Sequence, residues 1–157
     1  MSRARSTSLL LAFVAICLGV GASGSWVTVQ SVATWYPTLA KPAWNPPAAV
    51  FGPVWTVLYI MMGVAGWLAW TAGTTDRKKT MIPFGIQLAL NAVWSFLFFG
   101  LQKPGWAALE IILLWLAIVW TVIAFCKVRT VAAALLLPYL LWVTFAALLN
   151  ITIWRLN

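Results

Sequence analysis

The sequence predicts an all-α membrane bundle of five transmembrane helices in a single domain, residues 1–157, and three observations predict it. The hydrophobic fraction is 64% and the charged fraction only 8%, whereas a soluble domain is about 25% charged. So few charges cannot cover a surface facing water, so lipid must be the solvent for most of it. The apolar residues also fall into five runs, each close to the roughly 20 residues that a helix needs to cross a bilayer. Finally, every gap between runs carries polar, glycine or proline punctuation.

The first run, 7–27, follows Arg3 and Arg5. With Ala22-Ser23-Gly24 near its end it resembles a cleavable leader. The apolar stretch continues to Trp26 and Val27, however, so a retained helix is expected, with a four-helix mature form as the alternative. Residues 28–48 hold Pro37, Pro42, Pro46 and Pro47 and read as a loop. The second run, 49–72, ends at the polar turn Gly73-Thr74-Thr75-Asp76-Arg77-Lys78-Lys79. The third, 80–100, ends at Gly100–Pro104, and Pro104 suits the first turn of the fourth, 104–126. Lys127-Val128-Arg129-Thr130 precedes the fifth, 131–154. Backbone groups in hydrocarbon must bond internally, and runs this long and uniform do so as helices rather than as barrel strands.

The net charge is +8. Its cations sit in short clusters between apolar runs, without a basic face or nucleic-acid motif, so they read as flanking charges of membrane spans and no nucleic-acid partner is expected. Five spans put Arg3, Arg5, Arg77, Lys78, Lys79, Lys127 and Arg129 on one side and Lys41, Lys103 and Arg155 on the other. The richer side is expected inside, with the N-terminus. The C-terminus and the 28–48 loop are then outside. Cys17 and Cys126 lie in separate apolar runs and read as small hydrophobes.

Absences restrict the chemistry. There is no histidine, the commonest general base and haem ligand. The only acids are Asp76, expected as a solvated loop charge, and Glu110. No metal cluster, carboxylate pair or catalytic triad can be assembled. Glu110 is either an intramembrane functional acid or an interfacial acid near a helix N-terminus.

Twelve tryptophans are the main positive signal. Trp26, Trp70 and Trp154 lie at run ends, as interfacial belt residues do. Helical spacing places Trp55, Tyr59, Met62 and Gly66 on one face of the second helix. Gln87, Asn91, Trp94, Ser95 and Phe98 share a face of the third, and Tyr139, Trp142, Ala146, Leu149 and Asn150 one of the fifth. Such stripes suit a large flat apolar ligand with polar edges, or equally helix–helix packing. The proline-stiffened, aromatic first loop reads as a lid over the bundle, or as a loop packed on its end. Small residues recur every four positions at Ala15, Gly19 and Ser23, at Ala65, Ala69 and Gly73, and at Gly85 and Ala89. A homodimer using one of these faces is expected.

The blocks WYPTLAKPAWNPP at 35–47, FGPVWTVLYIMMG at 51–63, QLALNAVWSFLFFG at 87–100 and LLPYLLWVTFAALLN at 136–150 resemble the translocator protein (TspO/MBR) family. Its members are also called tryptophan-rich sensory proteins and peripheral benzodiazepine receptors. The resemblance covers nearly the whole chain. It implies five packed helices, usually a homodimer, and a pocket closed by the first loop that takes protoporphyrin IX, haem, related tetrapyrroles and synthetic apolar compounds. It implies Trp55, Tyr59, Asn91, Trp94, Ser95, Phe98, Trp106, Trp142, Ala146 and Leu149 as pocket residues, with Tyr36, Trp44, Asn45 and Pro46 in the lid. Ligand propionates would lie toward the outer mouth, near Lys41. Animal members also bind cholesterol, but Ile151 stands here where their recognition segment has tyrosine, and the segment is closer to that of microbial members. Without histidine, tetrapyrrole binding would rest on stacking and shape, and Tyr, Cys or Met would be the only iron ligands.

The expected function is therefore a receptor or translocator that senses, transports or clears porphyrins, with no cofactor required and no catalytic or metal-ligating residues. The alternatives are a light-dependent porphyrin-degrading enzyme with Trp55 and Trp142 as redox partners, and a sterol- or lipid-binding transporter. Almost no ionisable residues lie within the spans to couple transport to a gradient.

Overall fold

A computed structural model describes residues 2–73 and 76–157; Thr74 and Thr75 of the polar turn lie outside the described residues. The chain forms α1 (Arg3–Thr34), a 3-10 turn (Tyr36–Thr38), α2 (Ala48–Trp70) and α3 (Arg77–Ser95). The third helix continues as a π-type turn over Phe96–Gly100. Then follow α4 (Pro104–Cys126), α5 (Thr130–Ala134) and α6 (Leu137–Leu156). No strand occurs among the described residues. Five spans are long and apolar enough to cross a membrane, the last being α5 and α6 together.

The main departure from expectation is at the end of the first helix, which runs seven residues past Val27 to Thr34. The intervening Thr and Ser residues do not stop it, because a hydroxyl can bond back to the preceding turn: Thr28 donates to the Gly24 carbonyl at 2.8 Å and Thr34 to that of Gln30 at 2.8 Å. Pro37 stops it instead: it has no N–H to donate to the Ala33 carbonyl, and the chain tightens into the 3-10 turn. The first loop is correspondingly shorter, 35–47. The helix passes unbroken through Ala22-Ser23-Gly24 and belongs to the bundle. Phe13 lies 6.3 Å from Phe84 between ring centroids, and a Cβ added to Gly63 would come 2.6 Å from the Val14 Cα. Glycine is therefore what lets α2 approach α1.

Two further helices break locally. The third abandons α geometry after Ser95, where the Leu101 amide donates five residues back to the Phe96 carbonyl at 2.8 Å. Gln102 follows in the left-handed region at φ 54°, and Pro104 opens α4. The expected continuous run 131–154 divides at Leu135–Leu136. Pro138 has no N–H to donate to Ala134, so α5 ends there and the proline sits in the first turn of α6.

The core forms where the apolar faces meet. Tyr139, Phe125, Met62, Ile111, Leu114 and Ile118 are fully buried, and Phe84 stacks on Phe125 at 5.6 Å between α3 and α4. Glu110 is 7% exposed and turns into the bundle; both its oxygens lack a hydrogen-bond partner among the described residues. Asp76 is more than a solvated charge. It caps α3, accepting from the Lys79 amide at 3.1 Å, and it pairs with the Lys79 ammonium at 2.8 Å. That hydrogen-bonded ammonium holds its carboxyl below the usual range. Ala65 and Ala69 are fully buried within the bundle, so the α2 small-residue face packs internally and is not free for a dimer. Ala15, Gly19, Ser23, Gly85 and Ala89 stay exposed.

Candidate functional site

The three aromatic–polar stripes turn toward one another. In the deepest layer, the Tyr59 hydroxyl of α2 donates to the Asn91 carbonyl oxygen of α3. The Asn91 amide donates in turn to the Tyr139 hydroxyl of α6 at 2.8 Å. Three helices are thus joined by one chain of hydrogen bonds among residues at most 7% exposed, where water cannot substitute. Trp55 lies over this chain, 5.6 Å from Tyr59 and 6.2 Å from Tyr139 between ring centroids.

Nearer the loop, Trp94 stacks on Phe98, one helical turn away, at 5.4 Å and 23°. Its indole N–H donates to the Asn150 carbonyl oxygen at 3.0 Å, and the Asn150 amide donates to the Pro104 carbonyl at 2.8 Å. This orients Trp94 and ties α3, α4 and α6 together. Leu149 and Ala146 are buried on the same face of α6. Trp142 meets Phe51 at 5.9 Å and Phe145 at 5.4 Å. Its indole N–H is buried without a hydrogen-bond partner among the described residues.

The first loop lies over these rings. Trp44 meets Phe145 edge-on at 5.8 Å. The Tyr36 hydroxyl donates to the Asn45 carbonyl oxygen at 2.7 Å, and the Asn45 amide donates to the Pro46 carbonyl at 3.1 Å. Tyr36 packs 6.4 Å from Phe98. Burial pushes the Tyr36 phenol above its ordinary value, with the Asn45 hydrogen bond acting in the opposite direction. Asn157 pins the loop from the far end of the chain. Its side-chain oxygen accepts from the Ala40 amide and its nitrogen donates to the Ala40 carbonyl, both at 3.0 Å.

Lys41 has a different role from that expected of a contact for ligand carboxylates. Its ammonium donates to the Tyr36 and Leu39 carbonyls at 2.8 Å and to Pro37 at 3.3 Å. It also lies 5.0 Å from the Tyr36 ring centroid. An ammonium has three donors, so all are used in folding the loop.

Two expected pocket residues stand apart. Trp106 is 67% exposed; one residue of helix turns it about 100° from buried Ala107. It lines a surface groove of about 600 Å³ with Trp35, Lys103 and Trp154. Ser95 faces α1, where its hydroxyl would lie 3.0 Å from a Cβ on Gly24. Conversely, Phe51 and Phe145 pack into the Trp142 cluster, although the sequence reading did not single them out. Phe145 lies three residues after Trp142, a legible helical spacing. No metal-binding cluster of His, Cys, Asp and Glu occurs among the described residues.

Comparison with known proteins agrees with this architecture. A sequence model of the TspO/MBR family matches residues 13–155. The chain is 48% identical over 148 residues to the tryptophan-rich protein TspO of Chlorobaculum tepidum, covering 92% of each chain. It is 42% identical over 126 residues to the human translocator protein, covering 78% of this chain and 75% of the relative. It is 35% identical to a tryptophan-rich sensory protein of Cereibacter sphaeroides, covering 96% of this chain and 92% of the relative. Five spans long and apolar enough to cross a membrane, an aromatic first loop packed on the bundle and these matches along the length of the chain lead to one conclusion: the chain belongs to the TspO/MBR family of membrane proteins.

Proposed function

We propose that the protein binds tetrapyrroles, such as protoporphyrin IX or haem, between α2, α3 and α6 beneath the first loop, in order to sense, transport or clear porphyrins. The supporting observation is the Trp142 indole: its N–H is buried and unpaired, and its ring stands in a cluster with Phe51, Phe145 and Trp44 under the loop. A porphyrin is flat, wide and mostly apolar, and this cluster offers flat aromatic surface with one unused donor. Entry requires the Trp44–Phe145 contact and the loop's hold on the bundle to part. Haem, if bound, would be held by stacking and shape.

Aromatic pairs contribute about 0.5–1.5 kcal/mol beyond the area they bury. Trp142→Ala should therefore weaken protoporphyrin binding roughly three- to tenfold, read by titration against tryptophan fluorescence in the reconstituted protein. Binding equal to the parent's would show that the cluster is packing and that the site lies elsewhere. The enzymatic alternative draws on Trp55, which lies within 6.2 Å of Tyr59 and Tyr139, an arrangement suited to passing an electron between rings. Light-driven conversion of protoporphyrin that disappears in Trp55→Phe while binding persists would favour it.

We also propose a homodimer. With the α2 face consumed inside the bundle, the exposed small residues of α1 or of α3 would form its interface.

A further inference from the structure

At the end of the molecule opposite the first loop, a second groove lies on the outer surface between the first turns of α3 and the last turns of α4. Its volume is about 330 Å³, and it is lined by Lys79, Ile82, Trp120, Ile123, Ala124 and Lys127. Phe84 stacks on Phe125 between the same two helices. Its floor is apolar and open: Ile82, Trp120 and Ile123 are each about half exposed. A lysine stands at its rim on each helix, where the spans leave the hydrocarbon. Asp76 engages Lys79 at 2.8 Å, yet the two loops at this end carry Arg77, Lys78, Lys79, Lys127 and Arg129 against that single acid.

We propose that this groove binds one anionic phospholipid, with its phosphate between Lys79 and Lys127 and its acyl chains over Ile82, Trp120 and Ile123. Three features select this occupant. The cationic rim at a helix end meets the phosphate at headgroup depth, and basic pockets between transmembrane helices favour anionic headgroups. The tryptophan lies seven residues before Lys127, about 10 Å along α4, where its exposed ring meets acyl chain below the headgroup. A second copy is disfavoured by charge, because a two-fold interface built on this face would bring the same lysines of both copies together. A free phosphate would leave the apolar floor unused.

The test is quenching of Trp120 by brominated lipid in the reconstituted full chain, taking the Trp120 signal as the difference between the parent and Trp120→Phe. Brominated phosphatidylglycerol or brominated phosphatidylcholine is titrated into phosphatidylcholine vesicles. A lysine that meets the bound headgroup contributes about fivefold in affinity for anionic lipid. The phosphatidylglycerol should therefore half-quench Trp120 at a several-fold lower mole fraction than the phosphatidylcholine. Lys127→Gln should reduce that preference about fivefold. Lys78→Gln, at the same end but outside the groove, should leave it nearly unchanged, as should added inorganic phosphate. Equal quenching by the two lipids overturns the proposal. So does a loss of preference as large in Lys78→Gln as in Lys127→Gln, which would indicate diffuse surface charge. Displacement of the lipid by inorganic phosphate, or protection of Trp120 from both lipids by a second copy, overturns it as well.

Discussion

At the scale of single residues, the Tyr59–Asn91–Tyr139 chain is where the bundle has most to lose. Asn91 serves both neighbours, accepting from one phenol and donating to the other. Removing it leaves two buried hydroxyls without that partner, and an unsatisfied buried group costs about 1–3 kcal/mol. In membrane proteins the measured average for such bonds is nearer 0.6 kcal/mol, because the unfolded chain finds other partners. The number of groups stranded decides the ranking. Asn91→Ala should destabilise the protein by roughly 1–3 kcal/mol, and Tyr59→Phe, which strands only one acceptor, by less. Unfolding in mixed detergent micelles measures both; a Tyr59→Phe protein less stable than Asn91→Ala would show that packing of the phenol outweighs the hydrogen bonds. Tyr59, Asn91 and Tyr139 were legible as members of inward stripes because helical periodicity places them there. Their mutual bonding was not, since it depends on the rotation and depth of three helices relative to one another. The same holds for Lys41. Its position beside aromatic residues is visible in sequence, but the three carbonyls that capture it exist only once Pro37 has folded the loop back.

At the scale of the helices, close approach and open surface can be separated by two glycines. A Cβ at Gly63 would meet the Val14 backbone at 2.6 Å, whereas one at Gly85 meets nothing within 4 Å. Backbone cannot swing aside as a flexible side chain can, so α1 and α2 must separate. Overpacking of this kind costs about 1–3 kcal/mol. Gly63→Ala should therefore destabilise the bundle, while Gly85→Ala should be neutral or stabilise it by up to about 1 kcal/mol through helix propensity. Thermal unfolding of the pair checks this, and equal losses would mean that α1 does not pack on α2 in this way. The dimer belongs to the same scale. If α1 supplies its interface, Gly19→Leu should abolish crosslinking between copies and Gly85→Leu should not; the reverse result assigns the interface to α3. The existence of each helix was readable from run length, but the ends were not, for a reason visible at Thr28–Thr34. Polar hydroxyl residues look like a loop in sequence, yet they sustain a helix when they bond to their own preceding turn. Proline was uneven punctuation: Pro104 marked the start of α4, whereas Pro138 lies within a run read as continuous, and Pro53 and Pro83 lie inside α2 and α3. Trp106, assigned from the resemblance alone, turns to the outer surface of α4, an orientation that matching residues do not convey.

At the scale of the whole molecule, five spans place the two termini at opposite ends, and the distribution of cations then carries information about orientation. The end formed by the N-terminus of α1, the α2–α3 turn and the α4–α5 link holds Arg3, Arg5, Arg77, Lys78, Lys79, Lys127 and Arg129; the other holds Lys41, Lys103 and Arg155. These are short connections, the class for which positive residues determine which side is retained. We therefore predict that the N-terminal end faces the inside and the first loop the outside. Single cysteines at Thr38 and at Lys78, in a chain whose exposed Cys126 is replaced by serine, would be tested with a membrane-impermeant thiol reagent on intact cells and on broken membranes. Thr38→Cys should label in both preparations and Lys78→Cys only after breakage. Buried Cys17 should stay silent in both. Labelling of Lys78→Cys alone on intact cells would invert the orientation. Labelling of both positions from one side would contradict the odd number of spans, since α2 lies between them and must cross the membrane once.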